Sequence, residues 1–181
     1  DRPRRGLDLD EPDNRAQALT GQALGDMVTI DTLQVGALPE PNQLLSPPVY
    51  LGDKLTLRGV TVTPNGTVAP GTDVNVRLFW QARDWPITDY TAFVHLVGSD
   101  DALVQPVDKP PLQGFLPTST WYPGQRVVDD FTVTLPANAA PGTYTLYTGF
   151  YEAATMTRLP VTQGEQALGD AFAVGMLTIP E

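Results

Sequence analysis

The sequence predicts an all-β protein: an immunoglobulin- or fibronectin III-like antiparallel two-sheet β-sandwich with very little helix. Three observations carry this prediction. Apolar residues occupy alternate positions in short segments, Pro-Gly turns separate the segments, and no stretch of ten or more residues holds a convincing apolar period of 3.6. The best helical candidate, 14–24, is weakened by Thr20 and Gly21.

Taken in order, residues 1–20 are polar, broken by Pro3 and Pro12, and carry the acidic cluster Asp8, Asp10, Glu11 and Asp13, which reads as an extended solvated arm. Candidate strands follow at 27–35, 54–63, 73–81, 90–97, 103–107, 126–135, 143–151 and 170–179. In the third of these, Val74, Val76, Leu78 and Trp80 alternate with Asn75, Arg77 and Phe79, so one face is core. In 143–151, Tyr144, Leu146 and Phe150 alternate with Tyr147 and Tyr151; both faces are rich, and the strand is expected to lie centrally. The turns Ala69-Pro70-Gly71-Thr72, Tyr122-Pro123-Gly124-Gln125 and Ala140-Pro141-Gly142-Thr143 each place Pro where φ is fixed and Gly where φ is positive, as a type II turn requires.

The stretch Gln22-Ala23-Leu24-Gly25-Asp26 recurs as Gln166-Ala167-Leu168-Gly169-Asp170, and each copy leads into a strand-like run. Arg15 precedes Gly21 by the interval that separates Arg158 from Gly164, and a third Leu-Gly-Asp stands at Leu51-Gly52-Asp53. The repeated length is too short for a solenoid. Residues 1–36 are therefore expected to be an arm plus the closing strand of a preceding copy, 37–48 a Pro-rich linker, and 49–181 the sandwich domain. The competing expectation is that 27–35 is the first strand of one eight-stranded sandwich.

Composition narrows the function. The 181 residues include 41% hydrophobic and no Cys, which excludes thiolate metal sites, cysteine nucleophiles and disulfides. With 21 acidic against 11 basic residues, the net charge of −10 opposes binding to nucleic acid or an anionic membrane. No apolar run approaches the roughly 20 residues that span a bilayer as a helix.

His95, the only histidine, lies in an apolar strand with Asp108 on the next one; no nucleophile elbow accompanies it, so the two are expected to form a structural polar pair. Asp100 and Asp101, with Asp129 and Asp130, are acidic pairs at strand ends and the only calcium candidates, although solvated turn residues explain them as well. A hydrolase built on His95 or on these aspartates is the least favoured reading, and no catalytic residue, metal or cofactor is assigned. The aromatic residues Trp85, Tyr90, Trp121 and Tyr122 sit in or beside Pro-containing loops, where sandwiches carry binding function. An exposed ring suits a sugar face or a protein interface, and the alternative is that the rings cap the core.

The series Leu78-Phe79-Trp80-Gln81-Ala82, Asp89-Tyr90-Thr91-Ala92-Phe93-Val94-His95-Leu96, Asp108-Lys109-Pro110-Pro111, Trp121, Pro123-Gly124, Pro141-Gly142-Thr143-Tyr144 and Gly149-Phe150-Tyr151, ending at Arg158-Leu159-Pro160-Val161, resembles a known domain type. It is similar to the extracytoplasmic β-sandwich domains that follow the membrane-spanning part of bacterial dolichyl-phosphate-mannose-type glycosyltransferases and related large membrane proteins. The resemblance implies an extracytoplasmic or cell-surface location beside sugar-transfer machinery, and no catalytic residue, because the transferase chemistry belongs to the membrane part. The expected function is a non-catalytic accessory module that binds glycan, or spaces and docks the transferase, with Trp85, Tyr90, Trp121 and Tyr122 as contacts. Its partners would be a glycan and the membrane-embedded part of a larger polypeptide. The alternative is a structural cell-surface subunit that self-associates by adding strand 27–35 to a neighbour's sheet.

Overall fold

The computed structural model describes residues 38–181, so the expected arm and the strand at 27–35 lie outside the described residues. Residues Pro39–Glu181 form one compact unit. Its strands are β1 Gln43–Leu51, β2 Leu55–Thr63, β3 Gly66–Thr67, β4 Asp73–Ala82, β5 Tyr90–Val97, β6 Leu103–Lys109, β7 Arg126–Thr134, β8 Gly142–Glu152, β9 Thr157–Arg158, β10 Val161–Gln163, β11 Gln166–Gly169 and β12 Phe172–Ile179. Two short 3₁₀ turns, Pro111–Gly114 and Thr118–Thr120, are the only helical elements among the described residues.

The strands make two sheets. Sheet one runs β11-β10-β1-β2-β4-β7; sheet two runs β3-β12-β8-β5-β6, with β9 paired to β8. All pairings are antiparallel except the short β3–β12 contact. The all-β sandwich is thus as the alternation of apolar residues requires. Val74, Val76, Leu78 and Trp80 of β4 and Val127, Phe131 and Val133 of β7 face Ala92, Val94 and Leu96 of β5 and Leu146 and Phe150 of β8 across a single core. Trp80 and Phe150 meet at its centre, with ring centroids 4.6 Å apart. β8 lies centrally, as its two rich faces predict, between β12 and β5.

Two of the Pro-Gly turns close with the expected hydrogen bond, Thr72 N–H to Ala69 O at 3.2 Å and Gln125 N–H to Tyr122 O at 2.9 Å. Gly71 and Gly124 carry φ of +78° and +86°, values that an L side chain rarely adopts.

The linker expected at 37–48 is corrected by the structure. The sandwich begins at Gln43, and Leu45 is already buried. Pro47 and Pro48, which motivated the linker, lie where the β1–β2 register shifts between Leu44 and Val49. The β10 partner covers only Val49–Leu51. A proline lacks a ladder donor, and here an irregular edge demands none.

Candidate functional site

Register places four connections at one end of the sandwich. Leu55 pairs with Ala82, Gln81 with Arg126, Ala92 with Lys109 and Tyr90 with Glu152. The β1–β2 turn, the β4–β5 loop (83–89), the β6–β7 segment (110–125) and the β8–β9 turn therefore gather there. Of the ten large hydrophobic side chains exposed among the described residues, six belong to this end: Trp85, Ile87, Leu112, Phe115, Tyr122 and Met156. Trp85 is 57% exposed, Tyr122 55%, Phe115 87% and Ile87 91%.

The two long loops are fastened to each other. Ala82 N–H donates to Gln125 O at 3.0 Å, and Gly124 N–H to Ala82 O at 2.8 Å. The buried Thr118 hydroxyl donates to Thr88 O at 2.7 Å and accepts from Tyr90 N–H at 2.8 Å, while Ser119 N–H donates to Asp89 Oδ1 at 3.1 Å. Asp84 holds the base of the first loop, accepting from Lys54 Nζ at 2.6 Å and from Trp85 N–H at 2.8 Å. The Lys54 ammonium, then the Trp85 amide, keep the Asp84 carboxyl below the usual carboxylate range. Backbone so tied presents the Trp85 and Tyr122 rings with little ordering left to be done on binding.

Trp121 is a correction. Expected among the contact residues, it is fully buried, edge-on to Phe150 at 6.4 Å, with its indole N–H donating to Leu116 O at 3.1 Å. Tyr90 likewise packs against the core, 6.4 Å from Phe150. The end of a sandwich must be plugged, and Trp121 plugs it with no face left for a ligand, while Tyr90 is half-buried beside it. Trp85 and Tyr122 stay outside.

His95 and Asp108 are brought together as a polar pair, with Nε2 3.1 Å from Oδ1 and 3.2 Å from Oδ2. The pair belongs to a chain that the sequence did not reveal. Arg158 Nη2 lies 3.3 Å from His95 Nδ1, Arg158 Nη1 lies 3.4 Å from Asp170, and the guanidinium covers the Phe93 ring at 4.4 Å. Arg158 can only donate, so Nδ1 accepts and Nε2 carries the proton toward Asp108. An open depression of about 460 Å³ lies on this outer face of sheet two, lined in part by Phe93, His95, Tyr147, Arg158 and Asp170. His95, Asp108, Arg158 and Asp170 bond to one another there and join β5, β6, β9 and the turn before β12. The signal that could have found Arg158 and Asp170 was their presence in the internal repeat.

The calcium candidates do not converge. Asp129 and Asp130 are neighbours on a strand and point to opposite faces. Asp130 takes a bidentate bond from Arg77, at 2.6 and 3.0 Å. Asp129 faces inward, is 1% exposed, and meets Lys109 Nζ, whose side chain is 10% exposed and lies 4.1 Å from the Phe131 ring. Leu112 N–H also donates to Asp129 Oδ1 at 3.2 Å, while Oδ2 has no partner. Asp100 Oδ1 accepts from Ala102 N–H at 3.2 Å within the β5–β6 turn. Among the described residues, no three His, Asp or Glu side chains gather as a metal ion would need.

Compared with known protein families and with curated proteins, the chain matches none. Several solved structures are similar in fold. The C-terminal domain of wzt is 10% identical with a TM-score of 0.47, over 78% of this chain and 83% of that one. A CARDB domain from Pyrococcus furiosus is 10% identical with a TM-score of 0.40, over 72% of this chain and 92% of that one. A β-glucuronidase of glycoside hydrolase family 2 is 14% identical with a TM-score of 0.43, over 72% of this chain; the matched part spans 11% of the enzyme. The likeness is one of β-sandwich fold alone.

Proposed function

We propose that this sandwich is a non-catalytic extracytoplasmic accessory module of a larger membrane-anchored glycosyltransferase, and that it contacts glycan through Trp85 and Tyr122. The observation that carries the reading is the exposure of these two rings on loops tied together beneath them. A Trp face with a polar edge matches the apolar face and hydroxyl rim of a sugar. The net charge of −10 favours a neutral glycan over an acidic one. The absence of a catalytic role is supported by His95, whose two ring nitrogens are both engaged within the protein.

The test is titration of intrinsic fluorescence with neutral mannose-containing oligosaccharides and with cell-surface polysaccharide. Saturable binding lost in both Trp85→Ala and Tyr122→Ala, with unchanged melting temperature, is the expected result. Absence of binding to any neutral glycan, or binding indifferent to both substitutions, refutes the proposal.

A further inference from the structure

The outer face of sheet two carries a trough that contains neither Trp85 nor Tyr122. Phe93, His95 and Val97 alternate along β5 with the core residues Ala92, Val94 and Leu96, so they line the side away from the core. Register sets Tyr147 of β8 opposite His95 and Leu103 of β6 opposite Val97. These side chains line the depression of about 460 Å³, a volume within the roughly 300–1,000 Å³ of small-molecule sites. From Phe93 to Val97 the trough follows β5 for about 13 Å, at roughly 3.3 Å per residue.

Both ends are built. At one end Phe93 lies opposite Gly149 and takes the space of the missing side chain: a Cβ on Gly149 would fall 2.6 Å from Phe93 Cζ. The Arg158 guanidinium covers the same ring at 4.4 Å, so Phe93 is fully buried although it faces away from the core. At the other end the β5–β6 turn, closed by Gly98 N–H to Ala102 O at 2.9 Å, brings the exposed Asp101 and Leu103 to the rim.

An arginine in the wall would suit an anion, but the surrounding charges oppose one. Arg158 directs Nη1 to Asp170 at 3.4 Å and Nη2 to His95 at 3.3 Å. The carboxylates of Asp101, Asp108 and Asp170 reach solvent around it, and they outnumber its single positive charge. Between the ends the lining is apolar, from Tyr147, Val97 and Leu103, with carboxylate acceptors at both ends and guanidinium donors at one. That is the complement of a ring with an apolar face and a hydroxyl rim.

We propose that this trough is a second glycan-binding site, one that takes a short neutral oligosaccharide and rejects acidic ones. Tyr147 and Leu103 supply the apolar contact, Asp101 and Asp170 accept from sugar hydroxyls, and the His95–Asp108 pair keeps the floor rigid. Arg158, already fixed by Phe93 and Asp170, needs little ordering on binding. The site shares with the loop end only its class of ligand and stands on different residues.

The test is two-dimensional NMR of the isotope-labelled full chain, titrated to millimolar concentration with mannotriose, cellotriose and trigalacturonate. A neutral trisaccharide should shift the backbone amides of 95–97, 101–103 and 147 saturably, and trigalacturonate should not. Tyr147→Ala and Leu103→Ser, in variants whose spectra remain those of the folded chain, should each weaken that response by about three- to tenfold. Trp85→Ala combined with Tyr122→Ala should leave it intact. Shifts confined to 83–89 and 110–125 would overturn the trough site and leave the Trp85 and Tyr122 site standing; shifts confined to the trough would do the reverse. The proposal also fails if neither neutral sugar shifts the trough, if trigalacturonate binds there as strongly, or if neither Tyr147→Ala nor Leu103→Ser weakens the response.

Discussion

Removing Lys109 should expose how the inward-facing Asp129 is tolerated. Lys109 is the cation of a nearly dry ion pair, with the Leu112 amide the other partner of Asp129 and Oδ2 unbonded. Burial raises the Asp129 carboxyl above its ordinary value of 3.8, and Lys109 is the main influence holding it down. Lys109→Met keeps the apolar stem over Phe131 but strands a buried carboxylate, a change that costs about 3–5 kcal/mol. For a domain of this size that is a melting temperature lower by roughly 6–20 °C. Lys109→Met combined with Asp129→Leu removes both charges and should be neutral or stabilising by ~1–4 kcal/mol. The pH dependence has a definite sign. A carboxyl whose folded pKa is raised penalises the native state while ionised, so the penalty is full above the folded pKa and disappears as pH falls toward 3.8. Lys109→Met should therefore gain stability relative to wild type on acidification from neutral pH, by at most ~1.4 kcal/mol per unit. Urea denaturation at several pH values measures this. A single variant costing under ~1 kcal/mol with a flat difference in pH, or a double variant as unstable as the single one, would refute the reasoning.

Three further outcomes are expected. Trp121→Ala should cost ~3–5 kcal/mol, whereas Trp85→Ala should stay within about 0.5 kcal/mol, and thermal denaturation of the two separates the plug from the presented ring. Gly149→Ala should destabilise by ~1–3 kcal/mol, because its Cβ would fall 2.6 Å from Phe93 Cζ and 3.1 Å from Asp170 O; an unchanged urea midpoint would mean the Arg158–Phe93 stack yields freely. Thr118→Val should cost ~1–3 kcal/mol and speed amide exchange in both loops, since one hydroxyl serves Thr88 and Tyr90; protection unchanged at Tyr90 would contradict the tie.

The sandwich was legible because its signals are local. Alternation in Val74–Trp80 and the Pro-Gly turns are set by neighbours in sequence, and β4 and β5 fall within a residue of where they place them. β1 was hidden because Pro47 and Pro48 speak locally for a linker, and only the partner strand reveals that their donors are not needed. The short strands β9 to β11 owe their state to pairing with β8, β1 and one another, which no alternation over two to four residues announces. Among the site residues, sequence could identify Trp85 and Trp121 as loop aromatics but not divide them. Which ring turns inward depends on the space above Phe150, a property of the assembled core. Asp129 looked like half of an exposed pair, and the strand alternation that sends it inward was present in Val127, Phe131 and Val133 beside it.

The order in which sheet one is assembled matters for how this chain is made. β1 pairs with β10, Val49 opposite Gln163, so a chain synthesised from its N-terminus presents that strand long before its partner exists. Until then the β1 edge is open to pairing with any extended chain nearby. Pro47, whose carbonyl faces that edge, offers it no donor, and the Gln163 side-chain amide later caps it by donating to Pro47 O at 2.9 Å. The irregularity that disguises β1 as a linker is thus also a guard against aggregation during the interval when the nascent sheet is incomplete.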